Sequence, residues 1–281
     1  MITARSQRWR ERRARFVPSA SIINPAAYAV DVIDCGRLAR PFIEQHHYSG
    51  TFPASRMSVG LFECAEKASR LVGVATFSQP MNNRVVPVHT GLAAGEGAEL
   101  GRFVLLDSVA GNGETFFLSR ALRLLRQEKP KISAIVSYAD PAERRDDAGQ
   151  IVKPGHIGGI YQAMSAAYRG RGVARTQHQT PDGQIFSGRA ASKIQNYEQG
   201  FAYAVDQLVR AGAPRPSASA DLREWYAGLL ASGFLTRRRH PGNHVYAFAL
   251  TRAARMAGRS LRALPYPRDA SADRQGTEAL A

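Results

Sequence analysis

Apolar positions recur at two spacings between residues 28 and 250. Tyr28-Ala29-Val30-Asp31-Val32-Ile33-Asp34 reads as a strand. Leu38, Ala39, Phe42 and Ile43 fall on one helical face and deliver the chain to His46-His47-Tyr48-Ser49-Gly50-Thr51-Phe52-Pro53. Strands are predicted near 56–62 and 71–77, with the polar segment 63–70 as the hairpin loop between them. The Gly/Pro-rich stretch 78–98 then makes a long connection. Residues 99–107 return to strand character, and Gly111-Asn112-Gly113 introduces a helix on which Phe117, Ala121, Leu124 and Leu125 share a face, ending before Pro130.

Residues 132–140 are nearly continuous in apolar and small side chains, the pattern of a central strand covered on both faces. A charged loop, 141–153, follows. Ile157, Ile160, Tyr161, Met164 and Tyr168 then recur at helical spacing with Gly170 placed as a terminator. The segment 188–195 then leads to a helix predicted near 198–211, a Pro/Ser-rich linker at 213–219, a short helix near 221–231 and a strand at 244–250. No internal repeat is present. Strands alternating with helices describe an α/β domain whose strand ends carry polar loops, the usual place for ligands in such folds. The chain divides by pattern into a basic N-terminal arm (1–27), a catalytic-type domain (28–212), an extension that returns a strand (213–264) and a disordered tail (265–281).

At 281 residues with 44% hydrophobic composition the chain can bury a substantial core. Cys35 and Cys64 stand alone, without disulfide or metal spacing, as in a reduced cytosolic protein. No apolar run approaches the length of a membrane span and no secretory signal opens the chain, so the expected location is the cytoplasm. The formal net charge of +15 adds a polyanionic partner, nucleic acid foremost, although arginine outnumbers lysine so heavily that base composition of the genome is a competing cause. Two arginine runs stand out. Arg5, Arg8, Arg10, Arg12, Arg13 and Arg15 interleave with Trp9 and Phe16 in an arm that either orders on a phosphate backbone or stays solvated. Arg237-Arg238-Arg239-His240 lies between a helix and the last strand and offers a second set of phosphate contacts, or a solvated loop.

Several residues carry chemistry. Asp140 ends the buried strand and either orients or accepts a proton, or caps the Asp-Pro turn. His156 precedes a helix, whose N-terminus favours a neutral imidazole. Glu99 and Arg102 read as a structural ion pair, Gly111-Asn112-Gly113 as an anion cradle, and Tyr161 and Tyr168 as core aromatics. His46, His47, Asp140 and His156 are metal-ligand types, though not at the spacing of a metal motif.

Taken in order, the segments 46–53, 99–107, 137–140, 155–170, 188–194 and 240–250 resemble the Mom-type DNA-modification proteins of bacteriophages and prophages, divergent relatives of GCN5-type N-acetyltransferases. The resemblance implies a GCN5-related N-acetyltransferase-like mixed sheet flanked by helices, with a C-terminal helix and strand extension. It implies conversion of adenine at N6 to a carbamoylmethyl derivative that protects phage DNA from host restriction, with double-stranded DNA and a small-molecule group donor as partners. Carried over by motif, the reactive neighbourhood falls on His47, Tyr48 and Asp140 as catalytic groups, with Ser49, Ser137, Tyr138, His156, Tyr161 and Gln162 lining the substrate site. The parent superfamily's pyrophosphate loop, Gln/Arg-x-x-Gly-x-Gly/Ala, corresponds to Ser108–Gly113, which keeps both glycines but begins with serine. The donor candidates are acetyl-CoA or another activated acyl or glycyl compound, bound at Gly111, Asn112 and Gly113, and iron is a further cofactor candidate. The competing readings are an ordinary acyl-CoA-dependent N-acetyltransferase acting on a small amine or protein, and a non-catalytic phage DNA-binding protein using its basic surface.

Overall fold

Alternation sets the register of the sheet. In β4 (Ser55–Ala65), Met57, Val59 and Leu61 are buried on one face; β5 (Ala68–Ser78) pairs along its whole length with β4 and buries Val72, Val74 and Phe77. The turn between Ala65 and Ala68 is much shorter than the expected loop 63–70, because cross-strand pairing carries the polar residues Glu63 and Arg70 into the ladder, where they form an ion pair at 2.7 Å. The computed structural model describes residues 5–66 and 68–268. It is a mixed α/β fold whose largest sheet has seven strands. β3 (Tyr28–Ile33) lies at one edge, followed by β4, β5, β6 (Gly97–Leu105) and β7 (Ala134–Ala139). β14 (His244–Ala249) and β10 (Ala167–Arg171) complete it.

Every neighbouring pair is antiparallel except β6 and β7, which run parallel and pair only at Gly97, Ala98 and Glu99, opposite Ala134, Ile135 and Val136. Beyond Glu99 the two strands part. A bulge at Gly101 contributes, since Leu100 pairs with Phe77 and Arg102 with Thr76, leaving Gly101 as the extra residue. A side chain at Gly101 would collide with the hydroxyl of Ser78, so the bend is made by a residue without one.

α1 (Arg40–His46), entered through a π-type turn capped by Asp34, precedes β4. The connection 79–96 contains α2 (Val85–Thr90). α3 (Gly113–Glu128) follows β6 and buries Phe117, Leu118, Ala121 and Leu125 against a core with Val59, Leu61, Val74 and Ile135. The helix expected across 155–170 is shorter. α4 (Gly159–Ala163) stops at Ser165, which takes a positive φ of 56°, and Tyr168 and Gly170 belong to β10.

The arginine-rich start is folded. β1 (Arg5–Arg10) and β2 (Arg13–Pro18) form an antiparallel hairpin that buries Trp9 and leaves Arg8 fully inaccessible. Arg8 donates to the carbonyls of Val109 at 2.8 Å and Ala110 at 2.5 Å and pairs with Glu114, while Arg10 meets Asp107 at 2.5 Å. Arg8 and Trp9 are consecutive, so they point to opposite faces of β1, and both are buried: a run that reads as solvated is a strand covered on both faces at this point.

The chain folds as two compact units. One comprises the described residues through Pro141, Gly155–Gly172 and the described residues from Asn243 onward; the other comprises Ala142–Pro154 and Val173–Gly242. The division therefore differs from the sequence boundaries at 212 and 213. β14, read as part of a returning extension, lies inside the seven-stranded sheet between β7 and β10. α8 (Arg252–Arg259) follows it. The start of the expected tail is docked, with Tyr266 donating to Ala166 O at 2.9 Å; the remainder from 269 lies outside the described residues.

The second unit has its own core of Phe186, Ile194, Leu208, Tyr226 and Leu235. Its helices are α5 (Gly188–Asn196), α6 (Phe201–Arg210) and α7 (Leu222–Ala231). A three-stranded sheet is ordered β12 (Ile185–Phe186), β11 (Arg175–Gln179), β13 (Thr236–His240). The charged loop 141–153 contains a small ladder, β8 (Arg144–Arg145) with β9 (Ile151–Lys153).

Candidate active site at the split of the sheet

His47 follows the last residue of α1 in extended conformation, and its N–H caps Ile43 O at 2.9 Å; Gly50, with φ 55°, closes the following turn by donating to His47 O at 2.9 Å. The imidazole Nδ1 of His47 accepts the Ser49 backbone N–H at 3.1 Å and meets Ser49 Oγ at 2.8 Å. An acceptor Nδ1 places the proton of the neutral ring on Nε2, so His47 is equipped to donate rather than to act as a base. Tyr48 packs in a tilted cluster with His47, 4.1 Å away by ring centroids, and Trp9 of the hairpin, 5.0 Å away, with those two rings 6.0 Å from each other. His46 turns the other way. Its Nδ1 accepts from Glu11 N at 3.3 Å and burial lowers its pKa, as for a packed histidine.

Arg102, just past the bulge, ties this loop to the sheet by donating to Thr51 O at 3.0 Å and Thr51 Oγ1 at 2.8 Å. Burial lowers the pKa of its guanidinium, a shift opposed by the nearby Tyr48 and Glu99. Glu99, at the last paired position before the strands part, has its pKa raised by burial, with Arg102 pulling the other way. The two couple through space, while the donors of Arg102 hold the loop, which replaces the simple ion pair expected from sequence. Tyr161 lies within electrostatic range of both Tyr48 and Glu99, and burial raises the pKa of its phenol.

On β7 alternation separates two expected site residues. Ser137 stands opposite Tyr246 of β14 and Tyr138 opposite Val245, so Ser137 and Tyr138 point to opposite faces. Ser137 is fully buried and its hydroxyl has no partner among the described residues. Tyr246 packs on Tyr161 at 5.3 Å, accepts from Gln162 Nε2 at 3.1 Å and donates to Ile157 O. Burial pushes its phenol up to about 12. Gln162 thus fixes Tyr246, and Tyr161 is a core aromatic. At the end of β7, Asp140 O accepts the His156 backbone N–H at 3.0 Å, which joins these two segments. α4 has only five residues and begins three positions after His156, so no long helix end acts on that imidazole.

The proposed cofactor turn does not fit a pyrophosphate. A Cβ on Gly111 would lie 2.6 Å from Ser19 O and 2.7 Å from Ser21 O, and Ile23 N donates to Gly111 O at 3.0 Å. Carbonyls crowd the turn, and Arg8 and Glu114 occupy its flank, whereas an anion cradle presents free N–H groups. The metal candidates do not converge either: among the described residues no three His, Cys, Asp or Glu side chains come together as ligands. Arg237, Arg238 and Arg239 lie on strand β13, where a loop was expected, and are exposed.

Residues 27–223 match the Mom protein family. The chain belongs to that family. Membership places it among the phage DNA-modification proteins that the sequence resemblance implied. No curated protein matches it. Among solved structures, a tandem GNAT protein from the clavulanic acid biosynthesis pathway, without AcCoA, overlays with a TM-score of 0.41 at 8% identity, covering 80% of this chain and 99% of that one. No helix among the described residues is long and apolar enough to cross a membrane.

Sequence reasoning missed Trp9, Glu99, Arg102 and Tyr246 as parts of this neighbourhood. The available signals were charged residues flanking a glycine inside the otherwise apolar run 98–106, and a tyrosine within an apolar strand at 244–249. Each is the mark of a polar group that needs a buried partner.

Proposed function

We propose that this chain is a transferase that modifies adenine N6 in phage or prophage DNA with a carbamoylmethyl-type group, protecting that DNA from host restriction. The observation that supports the reading is the parting of β6 and β7 beyond Glu99, next to which stand the unpartnered Ser137 hydroxyl, Glu99, Arg102 and Tyr48. N6 is engaged in the base pair, so the target adenine leaves the stack and enters a pocket. Tyr48 and Ser137 supply a stacking face and a hydrogen-bonding hydroxyl. The N6 lone pair is delocalised into the ring, and a base must take a proton as the new bond to carbon forms and the donor's leaving group departs with its electron pair. Asp140 is the proposed base, Tyr48 donates to the developing negative charge, and the Nε2–H of His47 is a second donor. Glu99, made more basic by burial, is the second carboxylate of the neighbourhood. The donor is a small activated acyl or glycyl compound; no step is assigned to coenzyme A, because the turn before α3 is closed. Arg237, Arg238 and Arg239 neutralise phosphates of the duplex.

Mass spectrometry of nucleosides from DNA of cells expressing the chain tests the reading. A new adenosine species is expected, and unmodified DNA beside abundant folded protein would overturn it. Asp140→Asn should abolish the new species while the unfolding free energy changes by no more than about 0.5 kcal/mol. A loss of stability in step with the loss of modification would return Asp140 to a structural role, and Glu99→Gln, assayed in parallel, tests the second carboxylate.

A further inference from the structure

The second unit gathers several cations around one strand pair. β11 and β13 pair with Gln177 opposite Arg238, Gln179 opposite Thr236 and Arg175 opposite His240. Gln177, Gln179, Arg238 and His240 therefore share one face of this sheet, and His178, Arg237 and Arg239 the other. The segment 142–146 crosses the first face, held where Gln179 Nε2 donates to Arg145 O at 2.6 Å. Between them lies a cleft of about 320 Å³ lined by Arg144, Arg145, Gln177, Arg238 and His240, with Arg239 at its rim.

The lining is rich in donors. Two carboxylates, Glu143 and Asp146, face four guanidiniums, and Glu143 is already engaged by Arg145 Nε at 2.7 Å. His240 Nδ1 accepts the Gly242 N–H at 3.0 Å, which puts the neutral ring's proton on Nε2. The Gln177 amide and the Arg238 guanidinium make no hydrogen bond to another described group. Charged forks beside neutral N–H donors suit a ligand with several anionic oxygens, a phosphate ester. β13 is the edge strand of its sheet and carries Arg237 in the open on the opposite face, outside the cleft. A repeating polyanion would use both sets, whereas a small phosphorylated molecule would use only the inner one.

We propose that this cleft seats one backbone phosphate of the DNA duplex and is the docking point of the second unit; the proposal rests on the DNA-modification reading. The test is binding of a fluorescent duplex to the full chain, by anisotropy across a salt series, for wild type, Arg238→Gln, Arg237→Gln and Gln177→Glu. Arg238→Gln should lower the logarithmic salt slope by about 0.9, and Arg237→Gln, on the opposite face, by less. Gln177→Glu introduces a carboxylate beside the phosphate and should weaken binding by about tenfold or more, with an unchanged melting midpoint. Wild-type affinity in Gln177→Glu, or a larger slope change in Arg237→Gln than in Arg238→Gln, overturns the proposal. If DNA is nevertheless modified, the DNA reading stands and the cleft assignment alone falls; if wild type neither modifies nor binds DNA, the reading itself falls. Binding of inorganic pyrophosphate at about micromolar Kd that Gln177→Glu removes, with duplex affinity unchanged, would assign the cleft to a small phosphorylated molecule instead.

Discussion

The two arginine-rich segments look alike in sequence and have opposite fates in the fold. Arg5–Arg15 becomes a hairpin in which Arg8 is inaccessible and Arg10 is paired, and its Trp9 supports Tyr48 beside the split sheet. Arg237–Arg239 becomes an edge strand whose three guanidiniums are exposed and bind no carboxylate among the described residues. The difference is one of partners. The first run alternates with aromatic residues and faces the carbonyls of Val109 and Ala110 with Glu114; the second lies on the edge strand of its sheet with its guanidiniums accessible, Arg238 and Arg239 toward a cleft and Arg237 away from it. Net charge alone therefore overstates how much of the basic surface is available to a polyanion.

The largest expected stability effect separates the two segments directly. Arg8→Ala leaves the Glu114 carboxylate and the carbonyls of Gln7, Val109 and Ala110 without their donor and should cost about 3 kcal/mol of unfolding free energy, read by chemical denaturation. A change below about 1 kcal/mol would mean that the hairpin is not an integral part of the fold. The triple replacement of Arg237, Arg238 and Arg239 by glutamine should change stability by less than about 0.5 kcal/mol, yet flatten the salt dependence of duplex binding by about 0.9 per lost contact. A wild-type affinity that barely responds to salt would break the comparison from the other side. The smallest effect concerns Arg10. It holds the Asp107 carboxyl below the usual carboxylate range through a hydrogen bond, so the stabilisation is present above the unfolded-state pKa and is lost as pH falls through the lowered folded-state value. With the two side chains 37% and 28% exposed, solvent screening limits the pair to about 0.5 kcal/mol. Arg10→Gln should show that deficit at neutral pH and match wild type once Asp107 is protonated; an equal deficit at every pH would assign the effect to packing.

The sequence by itself determined the α/β class, the central strand at 134–139, the amphipathic α3, and the ordered motifs that mark the Mom family. These are local properties: apolar period, glycine and proline punctuation, and motif order all survive without knowing what packs on what. The length of α4 was not legible, because Ile160, Tyr161, Met164 and Tyr168 keep helical spacing across Ser165, where the backbone turns to positive φ and the chain becomes a strand. Only the tertiary structure decided which polar residues meet. β14 inserts beside β7 from more than a hundred positions away and puts Tyr246 opposite Ser137, while the bulge at Gly101 turns Arg102 toward Thr51. The Gly111–Gly113 turn illustrates the reason most plainly. Its glycines permit close approach, but whether a phosphate or the chain's own Pro18–Ser21 backbone makes that approach depends on long-range packing, which residue identity at the turn does not encode.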